Sequence, residues 1–187
     1  MIDPAIRPAT KLDIPTINRI LNHRDVRPTI GMPEAGPIDI SATFDQFIFL
    51  LFSRSLFMFE AIDAYSVEVH SAVVPEDRGK CAIDAALEGI KRTFLNTPVV
   101  LFLTKHSNEQ KEAGVFALQC GFHRIRATPT MTYWAQSLED WLARHNPKSL
   151  EAEIEAGGHI PKFQYAYTRL AHLFKETECP QSPLSLV

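Results

Sequence analysis

The sequence has few cysteines, and they follow no recognisable spacing. Cys81, Cys120 and Cys179 lie far apart in the 187-residue chain. An odd number of cysteines without a CxxC pair argues against a disulfide framework and against a zinc site. The seven histidines are scattered and form no HxxxH pair. We therefore expect no metal, and a protein of the reducing cytoplasm.

Long apolar runs and an excess of one charge are also missing. The formal net charge is −3, so no overall attraction to nucleic acid or to anionic lipid is expected. The most apolar stretch, residues 44–60, is interrupted by Arg54, and its apolar runs are too short to span a bilayer. The N-terminus shows no basic start followed by an apolar run, so no signal peptide is predicted. We expect neither a nucleic-acid partner nor a membrane partner.

What is present is an alternation of apolar strands and amphipathic helices. Seven strands are predicted, at residues 6–9, 47–52, 56–62, 65–74, 99–103, 122–127 and 131–135. Helices are predicted after Asp13, over residues 79–95 and over residues 109–120, where Asn108 is the cap and Gly121 the stop. Prolines and glycines predict a loop over residues 23–45. This order indicates an α/β domain with a mixed sheet.

The character of the chain changes at Ser137. Helices are predicted near Trp141, at residues 149–156 and at residues 161–175, where Phe163, Tyr167 and Phe174 share a stripe with which Trp141 would form a core. We therefore divide the chain into a domain at residues 1–136 and a helical C-terminal extension at residues 137–187, packed on the same domain. These helices would either cover the substrate groove or form a homodimer interface.

One strand carries a pair of titratable side chains. Glu68 and His70 are two residues apart, so both point to the same face of the sheet. A carboxylate and an imidazole in one place are suited to moving protons. The alternative is a pair at the solvent side or the edge of the core, without a chemical role.

The stretch VVPEDRGKCAIDA, residues 73–85, is typical of a turn from a strand into a helix. The first N–H groups of a helix have no partner within it, and the helix dipole is positive there. Such an end suits a phosphate group. The alternative is a purely structural joint between a strand and a helix.

Three stretches together resemble the GCN5-related N-acetyltransferase (GNAT) superfamily: IRPATKLDIPTINRIL, VEVHSAVVPEDRGKCAIDAAL and NEQKEAGVFALQCGF. The resemblance covers about residues 5–136. It implies a mixed, mostly antiparallel sheet flanked by helices. It also implies direct transfer of an acetyl group from acetyl-CoA to the amine of a small molecule or a protein. The other reading is a GNAT-like module without catalysis, used in binding or assembly and of the kind that tailed phages encode.

The resemblance implies a set of cofactor contacts in the turn and at the next helix. These contacts are Val73, Val74, Arg78, Gly79, Lys80, Cys81, Ala82, Ile83 and Asn108. In the family an Arg/Gln-x-x-Gly-x-Gly/Ala run holds the pyrophosphate of CoA. Here Arg78 takes the first position, while Cys81 and Ile83 replace the two glycines. Asn108 would contact the pantetheine arm or only cap the helix.

The resemblance also implies catalytic roles. Glu68 would be the base, with His70 as its partner or substitute. A backbone N–H near a strand bulge at residues 72–74 would polarise the thioester carbonyl. Ala117 stands where many family members carry a tyrosine acid, so Tyr133 and Cys120 are the candidate replacements. The basic loop at residues 23–31 would select an acidic or phosphorylated acceptor, or would simply be a solvated loop.

Overall fold

A computed structural model describes residues 6–30 and 36–144 of the chain. In these residues seven strands form one sheet in the order β1-β2-β3-β4-β5-β7-β6. The strands are β1 (Arg7–Pro8), β2 (Phe47–Phe52), β3 (Ser55–Ala61), β4 (Ser66–Ala72), β5 (Leu101–Ser107), β6 (His123–Ala127) and β7 (Met131–Ser137). Only β4 and β5 run parallel; the other neighbouring strands are antiparallel. The predicted mixed, mostly antiparallel sheet is confirmed.

Helices cover both faces of this sheet. They are α1 (Ile14–Leu21), α2 (Lys80–Asn96), α3 (Lys111–Gln119) and α4 (Leu138–Arg144). The apolar stripe of α1 packs with Phe49 and Leu56 in one cluster, whereas α2, α3 and α4 share a larger cluster with Phe59 and Phe102. Because both faces are covered, β2 and β3 read as nearly continuous apolar runs rather than as an alternating pattern.

The fifth strand is longer at its end than the sequence predicted. β5 covers Leu101–Ser107 instead of residues 99–103, and it pairs with β7 along its whole length, from Leu101 opposite Ser137 to Ser107 opposite Met131. The apolar run marks only the buried first half of the strand. Pairing with β7 extends the strand through polar residues, an effect that composition does not reveal.

The predicted cap at Asn108 is wrong. Helix α3 begins at Lys111 with Gln110 as its N-cap. The Asn108 amide instead donates to the carbonyl oxygens of Thr128 (2.8 Å) and Pro129 (3.0 Å), and it accepts from the Thr132 hydroxyl at 2.7 Å. Asn108 therefore holds the turn between β6 and β7, because this turn offers its amide both acceptors and a donor.

Helix α4 packs into the main core rather than beside it. Leu138, Trp141 and Leu142 are buried there, and the Trp141 ring lies 5.8 Å from the ring of Phe94. The helices predicted at residues 149–156 and 161–175, with the stripe expected to pack on Trp141, lie outside the described residues.

We expect Gly121→Ala to destabilise the fold. Gly121 ends α3 with a φ of +98°, and a Cβ atom there would lie 2.6 Å from Gln136 Nε2 and would also overlap the Arg144 guanidinium. The strain and the crowding should lower the free energy of unfolding by about 1–3 kcal/mol, measured by denaturant titration. Gly36→Ala is the control, because Gly36 has a φ of +85° but open space around it. An equal loss in both variants would contradict the crowding.

Candidate active site

The sheet opens between β4 and β5. The two strands pair only from Ser66 opposite Leu101 to Glu68 opposite Leu103, although β4 continues to Ala72 and β5 to Ser107. Helix α2 follows β4 and helix α3 follows β5. The opening therefore lies at the carboxyl ends of two parallel strands, which is where ligands bind in open α/β sheets.

One side of this opening presents the backbone of β4. Val100 and Leu101 donate their N–H groups to the Tyr65 carbonyl, so the backbone of Tyr65 faces β5. Because a strand turns its backbone groups alternately to either side, those of Val69 and Ser71 face β5 as well. The described residues place no strand opposite them. The opening is thus a short unpaired sheet edge.

The bulge predicted at residues 72–74 stays a prediction, because the regular pairing of β4 ends at Ala72. Strands β3 and β4 pair in unbroken register from Ala61 opposite Val67 to Leu56 opposite Ala72. Just beyond β4, the Val74 N–H donates to the Ser55 hydroxyl at 3.0 Å, toward β3. By the same alternation the backbone of Val73 turns to the side of β5. Of these two predicted residues, only Val73 therefore turns its N–H toward the opening.

The turn after β4 delivers the start of α2 to the same end. Residues 75–77 form a short 3-10 turn, Arg78 is extended, and Gly79 is the N-cap with a φ of 78° and a ψ of −135°. The first helical hydrogen bond runs from the Ile83 N–H to the Gly79 carbonyl at 3.1 Å. The N–H groups of Lys80, Cys81 and Ala82 precede that bond, and no side chain caps the helix.

The polar side chains of this turn have local partners. Arg78 donates to the Asp25 carbonyl oxygen at 3.3 Å, and the Lys80 ammonium lies 2.8 Å from an Asp84 carboxylate oxygen. Burial, followed by the charges of Asp77 and Asp84, raises the pKa of the half-buried Cys81 thiol. Cys81 is therefore a protonated packing residue and not a reactive thiolate.

On the face covered by α1, the predicted pair Glu68 and His70 belongs to a larger charged cluster. The Lys105 ammonium lies 2.9 Å from a Glu68 carboxylate oxygen, and the His70 Nε2 lies 3.7 Å from the same carboxylate and 3.4 Å from that of Glu60. The hydrogen bond to Glu68 raises the pKa of Lys105, against the effect of its partial burial. The structure thus brings the predicted pair together and adds a carboxylate and an ammonium.

Glu60 and Lys105 were not singled out in the sequence. Glu60 stands opposite Glu68 in the β3–β4 ladder, whereas Lys105 lies beyond the last β4–β5 pair. Their proximity depends on strand register, so only a correct alignment of the strands could have identified them.

Cys120 and Tyr133, the two candidates to replace the proton-donating tyrosine of many family members, lie in different surroundings. Cys120 is 1% exposed in the core, and burial raises its pKa to about 12. Tyr133 stands opposite Lys105 in the β5–β7 ladder and so shares the face of the charged cluster. Its ring also lies 5.7 Å from the Arg126 guanidinium carbon. Tyr133 is therefore the candidate with an accessible position.

In the basic loop, residues 23–31, one of the cationic side chains is hydrogen-bonded to nearby backbone carbonyl groups. Arg27 donates to the carbonyl oxygens of Gly36 (2.8 Å) and Ile30 (2.7 Å). Gln110, just before α3, donates to the Thr29 carbonyl at 3.1 Å, as Arg78 does to the carbonyl of Asp25. The loop is thus fastened to the turns that follow both β4 and β5, so it lies at the mouth of the opening.

A shallow groove of about 500 Å³ lies elsewhere, between α3 and the strands β6 and β7. His106, Leu118 and Trp134 line it, and Asn108 is the one predicted site residue that it contains. Gly114 lets α3 approach this sheet face, since a Cβ atom there would lie 3.0 Å from His106 Nε2. The groove is therefore separate from the opening between β4 and β5.

Several solved structures share the fold of this chain. The spermidine N-acetyltransferase from Vibrio cholerae in complex with CoA and spermine matches 74% of this chain and 97% of its own, with a TM-score of 0.57 and 12% identity. The fold is the GNAT fold. A GNAT-family acetyltransferase from Bacillus anthracis (TM-score 0.56, 15% identity) covers 72% of this chain and 94% of its own. Aminoglycoside acetyltransferase AAC(6')-Ib with coenzyme A and kanamycin (TM-score 0.58, 13% identity) covers 75% and 98%.

Sequence comparison adds nothing to this likeness: no family model and no curated protein matches the chain. In the described part of this GNAT fold, no group of three or more His, Cys, Asp or Glu side chains is placed to hold a metal ion. None of the helices in residues 6–30 and 36–144 is long and apolar enough to cross a membrane.

Proposed function

We propose that the protein is an N-acetyltransferase that moves an acetyl group from acetyl-CoA to an amine. The observation that carries the proposal is the unpaired edge of β4, which leads directly to the uncapped start of α2. A thioester with a peptide-like arm and a pyrophosphate needs these two features side by side. Solved structures with this fold include acetyltransferases that hold CoA or acetyl-CoA.

The residues of the opening fit such a co-substrate. The N–H groups of Lys80, Cys81 and Ala82 would bind the pyrophosphate at the positive end of the α2 dipole. Arg78 would add a cation after leaving the Asp25 carbonyl. The amide groups of the pantetheine arm would pair with the backbone of β4, as an added strand pairs with a sheet edge. Asn108 would not contribute its side chain, because the β6–β7 turn uses it.

The charged cluster supplies the proton chemistry. Glu68 is ion-paired with Lys105, so we assign His70 as the base and Glu68 as the group that orients it, reversing the roles expected from sequence. His70 takes one proton from the acceptor ammonium, and the freed amine attacks the thioester carbonyl carbon. The C–S bond then breaks, and the thiolate leaves with its electron pair. The nitrogen, positively charged after the attack, gives up its second proton, which Tyr133 or water relays to the thiolate, so that the amide and the CoA thiol are the products.

Transfer is direct, without an acyl-cysteine intermediate on the described cysteines. A thiol must be a thiolate to attack a thioester. The pKa of Cys81 and the pKa of Cys120 are both raised, the second to about 12, so both thiols are protonated at neutral pH.

The acceptor is an amine of a small molecule or a protein. Glu60 is the most exposed carboxylate of the cluster, with 52% of its side chain accessible, and it would attract a cationic amine. Basic groups of the neighbouring loop are partly used by backbone carbonyls, so a cationic acceptor suits the site better than an acidic one.

Calorimetry with acetyl-CoA and with CoA tests the proposal. We expect saturable binding of both, and release of free thiol when amines are added to the acetyl-CoA complex. Absence of binding at millimolar ligand would overturn it.

The second candidate is a GNAT-like binding or assembly module without catalysis. The alanine at position 117, buried in the core, favours it, because no phenol stands there. It predicts CoA binding without thiol release for any amine in a panel, whereas the enzyme releases thiol with at least one.

A further inference from the structure

Asp77 stands apart from the other acidic residues of the described chain. It is 3% exposed and is the one charged side chain among the buried polar residues that the structure describes. It lies one residue before Arg78, at the end of the short turn that leads to α2. Its role is not evident from sequence, where Asp77 is one acid in an exposed-looking PED stretch.

The Asp77 carboxylate binds the turn between β2 and β3. One oxygen accepts from the Ser53 hydroxyl at 2.9 Å. The other accepts from the Arg54 N–H at 2.9 Å and from the Ser55 hydroxyl at 2.7 Å. Burial by itself would raise the pKa of Asp77, but these hydrogen bonds lower it below the usual range. The group is therefore a buried carboxylate held by three donors.

The same hairpin turn also holds the other end of the connection. The Ser55 hydroxyl that donates to Asp77 accepts from the Val74 N–H at 3.0 Å. The 3-10 turn at residues 75–77 is thus tied at both ends to one serine. Ser53 has a φ of +47°, an unusual value for a residue other than glycine, which the bond to Asp77 helps to maintain.

This tie determines where the helix starts. Only Arg78 and Gly79 separate Asp77 from the first residue of α2, and Gly79 has no side chain that could anchor the turn. The position of the Lys80, Cys81 and Ala82 N–H groups consequently depends on the anchoring of Asp77. A displacement of about 1 Å at such a site is enough to weaken a phosphate contact strongly.

We infer that Asp77 is a positioning residue for the phosphate-binding turn: its carboxylate ties this turn to the β2–β3 hairpin and thereby aims the N–H groups of α2 at the pyrophosphate. The inference rests on the proposed function, because it assumes that CoA binds at this turn. Asp77 does not touch the ligand. Its effect should appear only with ligands that carry the pyrophosphate.

The test compares CoA with pantetheine, which lacks the phosphates, on full-length protein. Asp77→Ala should weaken CoA binding at least tenfold in calorimetry and leave pantetheine affinity within about twofold. Asp77→Asn keeps one oxygen for the Arg54 N–H, so its affinity for CoA should lie between those of the wild-type protein and Asp77→Ala. Ser55→Ala and Ser53→Ala remove single donors and should weaken CoA binding in the same selective way, which keeps the test valid if Asp77→Ala does not fold.

Ser137→Ala is the matched control. Ser137 is 3% exposed, and its hydroxyl donates to Asp140 at the start of α4, so its loss should lower stability without changing CoA affinity. Unchanged CoA affinity in the folded Asp77 and Ser55 variants, or an equal loss for CoA and pantetheine, would overturn the inference. If wild-type protein binds no CoA, the proposed function fails instead, so the two failures are distinguishable.

Discussion

Replacing His70 by glutamine should lower kcat/KM for acetyl transfer by about 10²- to 10⁴-fold, the usual contribution of a general base. The His70 imidazole lies between the carboxylates of Glu60 and Glu68, and 32% of its side chain is exposed. The side chain is therefore partly accessible, although its Nε2 atom is buried and forms no hydrogen bond in the structure. The change should leave CoA affinity unaltered, because His70 lies on the sheet face covered by α1, whereas α2, whose start would bind the pyrophosphate, covers the opposite face. Thiol release and calorimetry measure the two quantities.

Glu68→Gln and Lys105→Met distinguish the roles within the cluster. If His70 is the base and Glu68 orients it, then Glu68→Gln should reduce activity less than His70→Gln does. Lys105→Met should also have the smaller effect, since Lys105 touches Glu68 and not His70. Retention of activity in His70→Gln, together with its loss in Glu68→Gln, would show that the carboxylate is the base.

Replacing Gly79 by valine should weaken CoA binding by tenfold or more. Gly79 has a φ of 78° and a ψ of −135°, a combination that side chains avoid and that β-branched residues avoid most. Holding a valine in this conformation costs about 1–3 kcal/mol. The turn should therefore relax and displace the N–H groups at the start of α2. Calorimetry with CoA measures the loss of affinity, and thermal unfolding measures the loss of stability.

Gly36→Val is the control for this change. Gly36 also has a positive φ, 85°, and open space around it, but it lies in the connection between α1 and β2. The Gly36→Val variant should lose about as much stability as Gly79→Val and should keep the CoA affinity of the wild-type protein. If Gly79→Val binds CoA as wild-type protein does, the pyrophosphate does not depend on this turn.

Several parts of the site follow from local sequence. Glu68 and His70 share a face because a strand alternates its side chains, and this holds wherever the strand lies in the sheet. Of the apolar stripe that helical spacing predicts on α2, Ala86, Ile90 and Phe94 are buried. Ile83 and Leu87, the other two members, are only half-buried. Gly121 ends α3 with a positive φ, as a glycine after a helix usually does.

Other parts could not be read from the sequence. Asn108 looks like a helix cap, because nothing local shows that the β6–β7 turn will compete for its amide. Lys105 and Glu60 look like ordinary surface charges until strand register places them beside Glu68 and His70. Asp77, the one buried carboxylate in residues 6–30 and 36–144, is held by hydrogen bonds to a hairpin more than twenty residues earlier in the chain.

The sequence by itself determined the order of strands and helices, the faces of β4 and the turn in which α2 begins. These properties depend on periodicity and on backbone preferences that act over a few residues. Only the tertiary structure decided that β4 and β5 part after three pairs, that Lys105 neutralises Glu68, and that Asp77 anchors the turn. Each of these depends on contacts between segments distant in the chain, whose register no local pattern encodes.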